Sequence, residues 1–229
     1  MTISGYQRLS MIDYPGLCSS IIFTQGCPFR CSFCHNPDLV SGRTPSSLEI
    51  DSVMEDIEKH RSMLGGVVVT GGEPTIHQGL GALLRRIKDL GLRVKLDTNG
   101  VHPDHVQQLI SDGLIDYLAM DVKHRWEEYG KVTQVTSERM VDRCKETLSL
   151  IQRSGIDHEF RTTIMPDVHT MEDFIEMAGY LLPNERYAVQ ETRFTKTLDP
   201  NISHVMNIHA NEVVDTLRLQ FPTLELISR

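Results

Sequence analysis

An α/β fold built on a parallel sheet is what this chain predicts, on three observations. Short apolar or β-branched runs alternate with segments of helical periodicity from residue 17 onward. One of those runs, Val67-Val68-Val69-Thr70, has the unbroken apolar character of a strand covered on both faces, which parallel sheets produce because their crossover helices lie on them. Turn chemistry follows several of the strands, as at Gly71-Gly72 and Asn99-Gly100. Strands alternating with helices give right-handed crossovers in a parallel sheet. The 229 residues suffice for one sizeable core and do not force a second, so a single domain over 1–229 is expected.

Taken in order, residues 1–17 read as an extended lead-in that turns at Asp13-Tyr14-Pro15-Gly16. Residues 17–25 form the first buried strand, with Cys18 at its start as a small buried hydrophobe. After a cysteine-rich loop, residues 41–47 make a polar connection in which Ser46 or Ser47 caps a helix, with Glu49 available to its first turn. Val53, Ile57 and Met63-Leu64 carry that helix, and Gly65-Gly66 stops it. The strand at 67–70 leads to a helix at 79–90, a strand at 93–97, a helix at 105–112 and a strand at 115–122. A helix at 136–153 ends at Gly155. A strand at 158–165, a helix at 171–182, a strand at 187–194, a helix at 210–220 and a strand at 224–227 complete the pattern.

The chemistry starts in the loop after the first strand. Cys27, Cys31 and Cys34 fall within eight positions, and soft thiolates converging from one loop suit zinc or an iron–sulfur cluster. A closed structural zinc site takes four protein ligands, usually as two separated pairs, and there is no second CxxC. His35 abuts Cys34, so its ring would have to fold back on its own backbone to reach the same ion. Three cysteines on a four-iron cluster leave one iron open to a small ligand.

Residues just past each strand are where ligands bind in parallel α/β folds. Gly71-Gly72-Glu73-Pro74 offers glycines that admit close approach and a carboxylate that can accept from an ammonium group. Asp97 and Asn99 share one face of the third strand's end, as Asp121 and Lys123 share one face of the fourth. Charges there either pair with each other or bind something polar. Arg161, near the end of the fifth strand, supplies a guanidinium that can pair a carboxylate.

The spacing CxxxCxxC, with Phe33 just before the last cysteine, resembles the signature of the radical S-adenosylmethionine (SAM) superfamily. The continuation Cys34-His35-Asn36-Pro37 narrows the resemblance to the activating enzymes of glycyl-radical enzymes, most of all the longer type of anaerobic ribonucleoside-triphosphate reductase activating protein. The resemblance implies an incomplete (β/α)6 parallel barrel. It also implies a [4Fe–4S] cluster on Cys27, Cys31 and Cys34, with SAM chelating the open iron. The GGE motif of Gly71, Gly72 and Glu73 would contact the SAM amino group. The segments Asp97-Thr98-Asn99-Gly100 and Met120-Asp121-Val122-Lys123 resemble those of pyruvate formate-lyase activating enzyme. On that basis Asn36, Glu73, Asp97, Asp121 and Lys123 would hold SAM, with Asn99 of the same segment beside them, and a monovalent cation would sit near Asp97, Thr98 and Asp121. Arg161, from its place on the fifth strand, would pair the SAM carboxylate or a substrate group. The family's later SAM-contacting histidine has no counterpart in Gln190-Glu191-Thr192-Arg193-Phe194.

The implied reaction takes an electron from a flavodoxin or ferredoxin, cleaves SAM to methionine and a 5′-deoxyadenosyl radical, and abstracts hydrogen from a glycine Cα of a partner enzyme. No catalytic side chain beyond cluster and SAM is required. The alternatives are an activase of another glycyl-radical enzyme of pyruvate formate-lyase type, a small-molecule radical SAM enzyme resembling 7-carboxy-7-deazaguanine synthase, and a zinc or iron–sulfur module that recognises a partner without binding SAM. Cys-His-Asn-Pro and Asp-Thr-Asn-Gly favour the activase.

Bulk properties agree. A net charge of −8 argues against nucleic acid, which needs a concentrated basic surface. The sequence shows neither a signal-peptide pattern nor an apolar run of membrane-spanning length, and five cysteines make a poor disulfide framework, so a reducing cytoplasmic location is expected. Cys144 and Trp126 read as packing residues, the latter partly buried, and His204 and His209 as surface residues.

Overall fold

The computed structural model describes residues 1–41 and 48–229. Among the described residues, eight strands form one sheet in chain order: β1 (Ile3–Tyr14), β2 (Leu17–Thr24), β3 (Gly66–Gly71), β4 (Arg93–Thr98), β5 (Tyr117–Asp121), β6 (Asp157–Thr163), β7 (Arg186–Gln190) and β8 (Glu225–Ser228). β1, the expected lead-in, runs antiparallel to β2, and every later neighbour pair is parallel. β1 and β8 are the two ends of the order, so the sheet curls without closing. This is the incomplete parallel barrel that the motifs implied, with β2 to β7 as its six barrel strands.

The helices are α1 (Pro37–Ser41), α2 (Ile50–His60), α3 (Leu80–Asp89), α4 (Pro103–Ser111), α5 (Tyr129–Thr133), α6 (Glu138–Ser154), α7 (Met171–Ala178) and α8 (Ala210–Gln220). Their ends follow local chemistry. Pro103 occupies the first turn of α4, where its missing N–H costs nothing. Thr170 and Asp173 cap α7 reciprocally, and α6 stops at Gly155 in the left-handed conformation, φ +71°. α2 begins later than the serines suggested: its cap is Glu49, while Ser46 and Ser47 lie outside the described residues. It ends at His60, and a 3₁₀ turn over Arg61–Met63 carries the chain to Leu64. The strand expected at 187–194 stops at Gln190, and the helix expected at 171–182 stops at Ala178. The five-residue helices α1 and α5 are too short to impose a period on the sequence.

Alternation along each strand divides the sheet into two faces. Outward-facing Ile22, Val69, Leu96, Leu118, Phe160 and Val189 are all fully buried against the helices. Each contributes about 1.5–3 kcal/mol by leaving water. The concave face is different. Its floor is a small apolar cluster of Tyr14, Ile21, Val68 and Tyr117, and above that floor the side chains are charged.

Candidate active site

The carboxyl ends of the strands open onto a cavity of about 940 Å³. Cys27, Cys31 and Cys34 line it from the loop after β2, and Asn36 from the start of α1. Gly71, Gly72 and Glu73 reach it from β3, Asp97, Thr98 and Asn99 from β4, Asp121 and Lys123 from β5, and Arg161 from β6. Residues spread over 135 positions of sequence thus converge on one concavity, because each lies at the same end of a parallel strand.

The two glycines act differently from the expectation that they make room for a ligand. A Cβ on Gly72 would stand 2.0 Å from the Gly26 carbonyl oxygen, and one on Gly71, at φ +119°, 2.3 Å from the Thr24 nitrogen. What approaches closely is the cysteine loop's own backbone. Gly72 N–H donates to Thr24 O at 2.9 Å and Glu73 N–H to Gly26 O at 2.8 Å, fixing the residue just before Cys27.

Glu73 is fully buried, and its carboxylate accepts four hydrogen bonds. Oε1 takes Thr75 N (3.1 Å), Thr75 Oγ1 (2.5 Å) and Thr98 Oγ1 (2.8 Å), and Oε2 takes Asn99 N (2.7 Å). Burial pushes its pKa up against these donors. The carboxylate ties the β3 and β4 loops together, and Oε2, with a single donor, keeps a further acceptor position at the cavity that Glu73 lines.

The strand-end charges pair with each other. Asp97 Oδ1 accepts from Lys95 Nζ at 2.6 Å and Oδ2 from Arg161 Nη1 at 3.2 Å. Arg161 Nε donates to Asp121 Oδ1 at 2.8 Å, and Lys123 Nζ to Asp121 Oδ2 at 2.7 Å. Burial alone would raise both aspartates, but Arg161, then Lys95 at Asp97 and Lys123 at Asp121, holds each below the ordinary carboxylate range.

Around the cysteines, Phe29 and Phe33 are buried, and the Lys123 ammonium lies 5.6 Å over the Phe33 ring. Burial raises the Cys27 thiol to about 12 and the Cys31 thiol to about 11, with Lys123 opposing the rise at Cys31. Such thiols shed their protons to a metal, whose charge replaces the solvation they lack. Asn99 Nδ2 lies 3.7 Å from Cys27 Sγ, a donor of the kind that tunes cluster sulfurs. Three thiols from one loop, facing a roomy cavity, fit an iron–sulfur cluster with one iron left to a ligand. His35 is exposed.

Of the remaining expectations, Cys144 is buried and donates to Asn99 O at 3.4 Å, as packing requires, whereas Cys18 is only half-buried. Trp126 is partly buried, stacked on Tyr180 at 5.2 Å, and His204 and His209 are exposed. Sequence reasoning missed Lys95, which shares Asp97's face two residues earlier. It also missed Thr163, Thr192, Arg193 and Arg229, which line the cavity. A lysine inside a parallel strand was as odd as the aspartate beside it, and that was the available signal.

Comparison with known proteins decides the family. The profile of the radical SAM superfamily matches residues 21–181. The chain belongs to that superfamily. A Methanocaldococcus jannaschii protein, named as an inferred glycyl-radical enzyme activating enzyme, is 32% identical over 192 residues, 82% of this chain and 79% of its own length. This radical SAM enzyme therefore belongs with the glycyl-radical enzyme activating enzymes. The pyruvate formate-lyase-activating enzyme of Clostridium pasteurianum is 24% identical over 189 residues, covering 80% of this chain and 77% of that one. Among solved structures, Streptococcus suis SuiB bound to S-adenosylmethionine superposes with a TM-score of 0.71 at 16% identity over 91% of this chain, which spans about half of SuiB (49%). That likeness concerns the fold. Family membership implies a [4Fe–4S] cluster and SAM, which the cysteine set and cavity accommodate. No helix among the described residues is long and apolar enough to cross a membrane.

Proposed function

We propose that this radical SAM enzyme activates an anaerobic ribonucleoside-triphosphate reductase by generating its glycyl radical. The observation that carries the reading is the convergence in one cavity of three cysteines, the GGE loop and the paired charges of β4, β5 and β6. Cys27, Cys31 and Cys34 would hold the cluster. When bound, the cluster supplies the electron that splits SAM, and with it the radical that takes hydrogen from the partner's glycine. The protein's own residues position and exclude. Lys123 and Arg161, with donors beyond those spent on Asp121 and Asp97, take the SAM carboxylate side, and Asn36 and Asn99 border the same space. Glu73 acts through the donors it fixes, Thr98 and Asn99, and the glycines set the distance between cysteine loop and sheet. Phe29 and Phe33 keep water from one wall.

A monovalent cation near Asp97, Thr98 and Asp121 is part of the proposal: each aspartate oxygen has one protein donor and keeps a further acceptor position. A flavodoxin or ferredoxin is the proposed electron donor and a reducing cytoplasm the proposed location. Similarity to pyruvate formate-lyase-activating enzymes makes that lyase the alternative partner.

The test is anaerobic. Iron and sulfide are reconstituted, SAM and dithionite added, and 5′-deoxyadenosine and a glycyl-radical doublet followed with the reductase, with the lyase and alone. A doublet that requires the reductase supports the proposal. One given only by the lyase reassigns the partner, and deoxyadenosine with neither points to a small-molecule substrate. An intact cluster without SAM cleavage defeats the reading.

A further inference from the structure

Lys95 is 2% exposed on the inner face of β4 and does not line the cavity, so it touches nothing bound there. A buried ammonium is costly unless paired, and this one has two carboxylates: Asp97 Oδ1 at 2.6 Å and Glu159 Oε1 at 4.0 Å. Glu159, 1% exposed, is gripped by Arg229 at 2.7 and 3.2 Å. The result is a run of alternating charges, Arg229, Glu159, Lys95, Asp97, Arg161, Asp121 and Lys123, four cations against three carboxylates.

This run can lose Lys95 without leaving a carboxylate bare of any cation. Asp97 would keep Arg161, and Glu159 would keep Arg229. Its loss takes the donor from Asp97 Oδ1 but leaves each carboxylate a charged partner, which keeps the cost to stability below that of an orphaned buried charge. The larger effect is on geometry. By taking Oδ1 from below, Lys95 fixes the plane of the Asp97 carboxylate and leaves Oδ2 for Arg161, whose guanidinium is thereby shared between β4 and β5.

We propose that Lys95 is a positioning residue for SAM: it holds Asp97, and through Asp97 the Arg161 guanidinium, in the orientation binding requires. The inference rests on the reading of this cavity as the SAM site.

Anaerobic calorimetry of SAM on the cluster-loaded enzyme tests it, with iron content and melting temperature measured on the same samples. Lys95→Met is expected to raise the Kd for SAM roughly tenfold, and Lys95→Arg to return it within about threefold of wild type, the range seen for groups that orient direct ligands. Lys95→Gln, which keeps a donor for Asp97 without charge, should fall between them. Iron content and melting temperature should stay near wild type in all three. Wild-type affinity in both Lys95→Met and Lys95→Gln overturns the proposal. So does a loss of affinity that tracks lost iron or melting temperature, which would make Lys95 merely structural. Wild-type enzyme that carries the cluster yet binds no SAM defeats the site reading itself, and the proposal with it.

Discussion

Leu96 and Asp97 are chain neighbours on β4, and they point into opposite kinds of matter. Leu96 faces the helices, in a layer built mostly of apolar side chains. Asp97 faces the barrel interior, where above the apolar floor it and its charged neighbours are held by partners of opposite charge. The same contrast separates Met120 from Asp121 and Phe160 from Arg161: the outer face is specified by volume, whereas the inner face above its floor is specified by pairing. An error of a methyl group matters on one side, and an error of one charge on the other.

Three measurements press on that contrast. The largest effect belongs to the outer layer: Leu118→Ala should cost about 2–5 kcal/mol of stability in denaturant melts, with SAM affinity of the folded fraction unchanged. A matching loss of affinity would show that the two faces are not independent. Next is the joint between strand ends. Glu73→Gln turns an amide donor towards groups that already donate, and should lose about 1–3 kcal/mol and loosen the β4 loop, seen as faster amide exchange at Asn99. The smallest effect is in pH. Asp97 and Asp121 titrate below their ordinary values, so the stability they contribute is present above the ordinary carboxylate range and is lost as pH falls below about 4. Glu73, pushed up, works the other way, its contribution declining as pH rises through its folded value. Asp121→Asn should therefore be less stable than wild type near neutrality and lose less on acidification; parallel melting curves would rule that account out.

The strands were legible because β-branched runs and the glycines after them are strong local signals, and the site because its residues sit at strand ends. The short helices α1 and α5 were not, having no room for a period. The start of α2 was missed because its cap, Glu49, makes no side-chain capping bond and so leaves no cap chemistry to read. The charges around Asp97 and Asp121 could be seen as needing partners, but their assignment depended on register: only the pairing of Asp121 opposite Arg161 places one guanidinium between two aspartates. Lys95 on β4 and Arg229 just past β8 join through Glu159 on β6, positions that no sequence spacing brings together.

The contact of Gly71 and Gly72 with the backbone of Thr24 to Gly26 bears on how this protein can change over generations. The cysteine loop is referenced to the sheet by main-chain atoms, which are the same whatever the side chains are. Substitutions can accumulate on either face of β2 and β3 without displacing Cys27, provided those two positions never acquire a side chain. Descendants with diverged cores and altered partners would inherit the loop's placement intact.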